Sequence, residues 1–280
     1  SWGQEAPLSV GHTHGVPEGV TNDVVVIPFN DVTESERILE AHADELAGVL
    51  FDAVPSRCGG IPASPDYIRM LKSFTHSNDR VFILDEVVTW RLDYGGAQTR
   101  YGIEPDITTL GKVIGGGMPI GAVAGRDEVM AVYDSSIGKA ACSHSGTFSG
   151  NPVSMAAGIA AMKLLTPEIV ERLNRLGERA RAQLREAFHQ ADVDGQVTGE
   201  GSMILIHFSS EPLGSYRATY RAHTEKRAEM LEDLFRCLLN RGIFFSTWGL
   251  GCLSTPMGEA EVDQDACDVD RGGHERARGH

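Results

Sequence analysis

The sequence predicts an α/β protein: a mostly parallel sheet with helices on both faces, followed by a smaller α+β domain. Three observations predict it. Short apolar runs alternate with amphipathic helical stretches through the first half of the chain, the βαβ rhythm of a parallel sheet. Two of those runs close on chemistry-bearing residues, VFIL on Asp85 and ITTLG on Lys112, as buried strands do where they meet a binding crevice. After residue 166 the pattern changes to a long charged helix, short strands and a second helix.

Taken in order, residues 1–23 are rich in Gly, Pro, His and Thr and read as irregular. His12 and His14 lie there without neighbouring ligand types, so no metal site is expected. VVVIP (Val24–Pro28) reads as a buried strand, and Val32, Ile38 and Leu39 then recur at helical spacing. GVLFDA (Gly48–Ala53) is the next strand. Ser64-Pro65 starts a helix carrying Ile68, Met70, Leu71 and Phe74. The strand Arg80–Leu84 delivers Asp85, Ile107–Leu110 leads to Gly111-Lys112, and Pro119–Gly125 is a further strand. Asn151 as N-cap and Pro152 at the first turn open a helix over 152–165, with Met155 and Met162 expected in the core. Ile169, Leu173, Leu176, Ala180, Leu184 and Phe188 form the apolar side of a helix over 167–190. A strand over Gly199–Phe208, a loop to Thr219, a helix over Glu225–Arg241 and short strands at Gly242–Thr247 and Cys252–Thr255 complete the reading. The expected division is a large domain over 1–166, a small one over 167–265, and a polar, disordered tail over 266–280.

Composition narrows the partners. Thirty-nine acids face 25 Lys and Arg, a net charge of -14 that repels phosphate backbones and argues against nucleic acid. No apolar stretch reaches membrane-spanning length. Cys58, Cys142, Cys237, Cys252 and Cys267 are scattered with no CxxC pair, which fits a reducing, cytoplasmic setting. The opening SWGQEAPLSVGHTHG is loop-like, and an upstream piece is expected to be missing.

Lys112 lies in GKVIGGG, where the glycines follow the lysine; a phosphate loop of the Walker kind needs them before it. No GxGxxG follows a strand, so a generic nucleotide-binding domain is disfavoured. A lysine in a glycine-lined crevice suits Schiff-base chemistry, where a partly desolvated amine loses its proton readily. An acid at a neighbouring strand end suits the ring nitrogen of a pyridinium cofactor. Thr147, at a Gly-rich turn before a helix, suits a phosphate oxygen. Together these describe a pocket for pyridoxal 5'-phosphate.

LDEVVT, PDITTLGKVIGGGMPIGAVAGR and SGTFSGNPVSMAAGIAAMKLL resemble the class III aminotransferases, pyridoxal-phosphate enzymes of fold type I, and among them the glutamate-1-semialdehyde aminomutase-like members. The resemblance covers residues 20–260 in the family's order. It implies that Lys112 forms the internal aldimine and shuttles a proton between substrate and cofactor, and that Asp85 pairs with the ring nitrogen. It implies further that Val87 packs on the ring face and that Thr147 reaches the phosphate of a partner subunit's cofactor. A homodimer with shared active sites, acting on a small amine or amino acid and a carbonyl acceptor, follows from the same resemblance.

Two departures stand out. The family's upstream glycine/serine phosphate turn and ring-stacking aromatic have no counterpart here. Trp248-Gly249-Leu250-Gly251-Cys252 carries glycine where the aminomutase has a substrate-facing acid. The leading expectation is therefore an aminotransferase, with an intramolecular aminomutase and a non-catalytic remnant of the fold as alternatives. Other readings of single residues are Asp85 as a helix cap or ion-pair member, Lys112 as a solvated charge and Val87 as core. Glu86 and Arg91 are expected to be solvated or salt-bridged.

Overall fold

A computed structural model describes residues 9–11, 13–136, 138–222 and 225–263. After a short helix α1 (Glu18–Asn22), helix α2 (Val32–Ala41) is capped by Asp31, whose carboxylate accepts from the Glu34 N–H. Strands β1 (Gly48–Phe51), β2 (Val81–Asp85) and β3 (Ile107–Gly111) run parallel, so each needs a crossover. Helices α3 (Pro65–Ser77) and α4 (Gly96–Tyr101) lie in those crossovers. Strand β4 (Gly121–Gly125) returns antiparallel beside β3, giving the order β1-β2-β3-β4.

Alternation along the strands sorts their side chains by face. Val49, Phe51, Phe82 and Leu84 are buried in one core with Leu39 of α2 and Ile68, Leu71 and Phe74 of α3. Leu50, Ile83, Asp85, Ile107, Thr109 and Val123 take the opposite face by register. There Leu50 is 63% exposed and Val123 46%.

Beyond the short helix α5 (Asp127–Met130), Asn151 caps α6 (Pro152–Leu164), accepting from the N–H groups of Val153 and Ser154. Thr166 caps α7 (Pro167–Gln190) in the same manner, through the Ile169 N–H. A second sheet of β5 (Gln196–Thr198), β6 (Met203–His207) and β7 (Leu250–Cys252) is antiparallel, and every residue of β6 is buried. Its core holds Leu173, Leu176, Leu184 and Phe188 of α7 with Ile204, Ile206, Leu231 and Leu238; the last two belong to α9 (Glu225–Asn240). The two sheets are tied by the Asn174 side-chain amide donating to the Leu92 carbonyl (2.8 Å) and by Thr198 Oγ1 donating to the Gly59 carbonyl (2.6 Å).

Several expected elements differ. Val24–Pro28 is not a strand: it meets no neighbouring strand, and only Ile27 packs on the core, while Val24 and Val26 are exposed. Gly242–Thr247 alternates like a strand, with Phe245 buried and Phe244 exposed, but also finds no ladder partner. The expected strand from Gly199 is pared to β6 because turns at Gly199 and Gly201 take positive φ (115° and 53°). Helix α8 (Tyr216–Ala222) occupies part of the expected loop. Met155 is exposed, because only Ser154 and Gly158 of α6 are buried; Met162 does pack on the second core. His12 and the 266–280 tail fall outside the described residues. Among the described residues no single helix is long and apolar enough to cross a membrane, and no group of metal-ligating side chains assembles.

Candidate active site

Three parallel strands must present their carboxyl ends on one edge of the sheet, and the loops that follow them define the crevice there. Asp85 is the last residue of β2. Its Oδ1 accepts from the Val87 N–H (2.9 Å) and from Thr109 Oγ1 on the next strand (3.3 Å). These two bonds fix the carboxylate at the strand end and leave Oδ2 with no hydrogen bond among the described residues. Val87 lies against Gly111: a Cβ built at that glycine would sit 3.5 Å from Val87 Cγ1. Val87 therefore borders the backbone from which Lys112 springs.

Lys112 opens a 3-10 turn (Lys112–Gly115) directly after β3, with φ +48°, a left-handed conformation unusual for a residue with a side chain. Helix α6 packs against this turn with no room to spare. A Cβ at Gly158 would come 2.4 Å from the Ile114 carbonyl oxygen, and one at Gly116 would come 2.4 Å from that of Ala157. The glycines that follow Lys112 and the one inside α6 let a helix and a turn touch backbone to backbone. Lys112 is exposed, not partly desolvated, because no described element covers it.

Asp52, which no motif in the sequence singles out, sits one residue beyond β1 and continues the alternation that puts Leu50 on the Asp85 face. Its Oδ1 accepts from the Val54 N–H (2.8 Å). Burial pushes its carboxyl up to about 7. The Val54 hydrogen bond opposes that rise, the charges of Asp85 and Glu86 add to it, and Lys112 pulls it back. Asp85 and Lys112 form no direct ion pair; their charges meet at Asp52. The signal was present in GVLFD, an apolar run ending in an acid like the one ending at Asp85.

Glu86 is fully buried, contrary to expectation. The chain folds back so that the free first-turn N–H groups of α4, those of Ala97 (3.0 Å) and Gln98 (2.8 Å), donate to its carboxylate together with Thr89 Oγ1 (2.7 Å). Burial raises its pKa against those bonds. Arg91 is not salt-bridged either: it donates to Ser202 Oγ (2.9 Å) and to the Leu253 carbonyl, joining the two sheets. Thr147 lies on the exposed turn before α6, and no described hydrogen bond ties it to Asp85 or Lys112.

The arrangement offers a covalent nucleophile, an anchored carboxylate with one open oxygen and an apolar wall on one crevice. Those are the groups a pyridine aldehyde requires: a partner for its ring nitrogen, a surface for its ring and an amine for its aldehyde. The residues present fit that group.

Comparison with known proteins places the chain. The family description "Aminotransferase class-III" matches residues 11–255. Glutamate-1-semialdehyde 2,1-aminomutase 2 of Geobacillus kaustophilus is 35% identical over 240 residues, 85% of this chain and 54% of that protein. An omega-transaminase from Sphaerobacter thermophilus superposes with a TM-score of 0.91 at 42% identity, covering 96% of this chain and 61% of that one. A solved transaminase with PLP bound gives a TM-score of 0.84 at 44% identity, over 94% of this chain and 60% of that one. The chain thus spans little more than half the length of the relatives it matches. It shares their fold, with the match running across both sheets and both cores, and it belongs to the class-III aminotransferases.

Proposed function

We propose that this protein is a pyridoxal-phosphate-dependent aminotransferase that moves an amino group between an amine or amino acid and a carbonyl acceptor. When bound, the cofactor supplies an electron sink for the bonds to the substrate carbon. Lys112 Nζ would hold the cofactor through its aldehyde carbon, and the same amine would carry a proton to and from the substrate. Asp85, through the oxygen left open, would pair with the ring nitrogen, and Val87 would pack on the ring. Thr147, on an exposed turn, is assigned to the cofactor phosphate of a partner subunit, which makes the working unit a homodimer. The free, described cysteines Cys58, Cys142, Cys237 and Cys252 support a reducing, cytoplasmic setting. Residues 1–166 and 167–265 are read as the large and small domains.

The observation that carries this reading is Asp85: its carboxylate is fixed at a parallel strand end by Val87 and Thr109, its other oxygen makes no hydrogen bond among the described residues, and the neighbouring strand ends at Lys112. The omega-transaminase likeness, at 42% identity over 96% of the chain, supports transfer between two molecules. The name of the Geobacillus relative supports the second reading, an intramolecular aminomutase. Mixing the purified chain with pyridoxal phosphate should give a visible absorption band that Lys112→Ala abolishes. Turnover with an amino donor should then require an added keto or aldehyde acceptor; net turnover of a single amino aldehyde without one supports the mutase instead.

A further inference from the structure

We propose that Asp52 is a positioning residue for the amine of Lys112: as a carboxylate it holds the lysine in the unreactive ammonium form, and on taking up a proton it releases that hold. This deepens the transamination reading and rests on it for the amine's role as anchor. Phe51 of β1 pairs with Leu84 of β2, so the residues that follow them, Asp52 and Asp85, stand side by side where the two parallel strands end. Asp85 pairs in turn with Thr109, and Lys112 opens its turn where β3 ends. The order β1-β2-β3 therefore sets an acid, a second acid and the amine along one sheet edge. Strands about 4.8 Å apart put β1 and β3 about 10 Å from each other. An extended lysine shortens that span to one over which charges are only partly screened.

Asp52 is half-buried and fixed in place. Its Oδ1 accepts from the Val54 N–H (2.8 Å), and the Ala63 N–H donates to the Ala53 carbonyl (2.8 Å), with Ala53 and Val54 buried beside it. Its other oxygen makes no hydrogen bond among the described residues, and no lysine or arginine there closes a direct ion pair with it. The groups that face it come from four elements. Asp85 and Glu86 lie at the end of β2, Lys112 in the turn after β3, Cys58 in the 3-10 turn Ser56–Cys58 and Tyr101 at the end of α4. Cys58 and Tyr101 are each pushed up to about 12, first by burial, so neither changes charge near neutral pH. Glu86 is raised by burial, but Ala97, Gln98 and Thr89 occupy its carboxylate.

Burial holds the Asp52 carboxyl up at about 7, against the Val54 hydrogen bond and the Lys112 charge. Such a coupling is reciprocal: the cation that favours the carboxylate is favoured by it. Only the neutral amine attacks an aldehyde. Below about 7 Asp52 is uncharged and leaves Lys112 alone; above it, the carboxylate restrains the amine just where an amine would otherwise gain in nucleophilicity.

The test uses the whole chain without cofactor, labelled briefly with formaldehyde and cyanoborohydride at about pH 5.5 and about pH 8, on either side of the Asp52 transition. Methylation of each lysine is read by peptide mapping, with Lys163 as the internal reference. At the lower pH, wild type and Asp52→Asn should label Lys112 equally. At the higher pH, Asp52→Asn should label it about two- to fivefold faster than wild type. The asparagine keeps an oxygen for the Val54 N–H, which separates loss of charge from loss of the turn. Asp52→Glu keeps a carboxylate and should restore the restraint in part. A ratio of Asp52→Asn to wild type that is the same at both pH values marks a merely structural role and overturns the proposal, as does slower labelling in Asp52→Asn at the higher pH. Borohydride capture of pyridoxal phosphate at Lys112 is measured on the same proteins. Capture with labelling indifferent to Asp52 sinks this proposal alone; Asp52-dependent labelling without capture sinks the transamination reading and leaves a lysine governed by its neighbouring acid.

Discussion

At the scale of single residues, the two acids of the crevice behave differently because their surroundings differ. Asp85 takes two hydrogen bonds on one oxygen, while Asp52 takes one and is half-buried near two other carboxylates. Asp52 has its pKa raised from the ordinary 3.8 to about 7, so between those values the folded chain holds a proton that the unfolded chain releases. The stability this contributes is fully present below about pH 4 and is lost as pH rises through 7. Asp52→Asn is therefore expected to flatten the fall in stability between pH 4 and 7 and to make the chain more stable than wild type at neutral pH, read by urea unfolding across that range. Glu86, also raised by burial, keeps a residual slope in the same direction. Asp85 and Lys112 were legible because each ends an apolar run beside a distinctive motif. Asp52 ends such a run too, but Ala-Val-Pro after it looks like ordinary loop, and only the sheet register brings it to the other two. The burial of Glu86 was illegible because its partners are the N–H groups of a six-residue helix, a helix too short to announce itself in the sequence.

At the scale of elements, local signals succeeded wherever the element carries its own start signal. Asp31, Ser64, Asn151 and Thr166 each cap the helix that follows, with a side-chain oxygen accepting a first-turn N–H. Strands have no such self-sufficiency: Val24–Pro28 has β-forming residues and no neighbour, and β5 has three residues and is defined wholly by pairing with β6. The contact that matters most for the site is α6 on the Lys112 turn. Gly158→Ala would drive a methyl into the Ile114 carbonyl, now 2.4 Å from where it must sit. The expected cost is about 1–3 kcal/mol of stability, measured by urea unfolding. A drop in pyridoxal-phosphate capture at Lys112 should accompany it; an alanine variant with both unchanged would show that the helix does not set the turn.

At the scale of the whole molecule, the site face is the open one. Leu50 and Val123 are exposed on it, and separately α6 exposes Val153, Ile159 and Leu164, with Phe148 just before the helix at 80% exposure. A net charge of -14 keeps such a surface from unspecific association, so apolar area of this extent is best satisfied by a particular partner. The proposed homodimer predicts a concentration-dependent dimer in sedimentation velocity, and Ile159→Asp should shift it toward monomer with the fold retained. The mostly parallel character of the sheet and the second core were legible from the run of apolar segments, whereas the antiparallel return of β4 and which face stays open depend on pairing and register that no single segment encodes.

The proposed chemistry turns on one amine, Lys112, as the covalent anchor of the site. The most direct measurement is peptide mapping by mass spectrometry after the chain is mixed with pyridoxal phosphate and reduced with borohydride. A single dominant pyridoxyl adduct on Lys112 is expected, lost in Lys112→Ala. Adducts spread over Lys72, Lys139, Lys163 and Lys226, with Lys112 no more modified than they are, would contradict it.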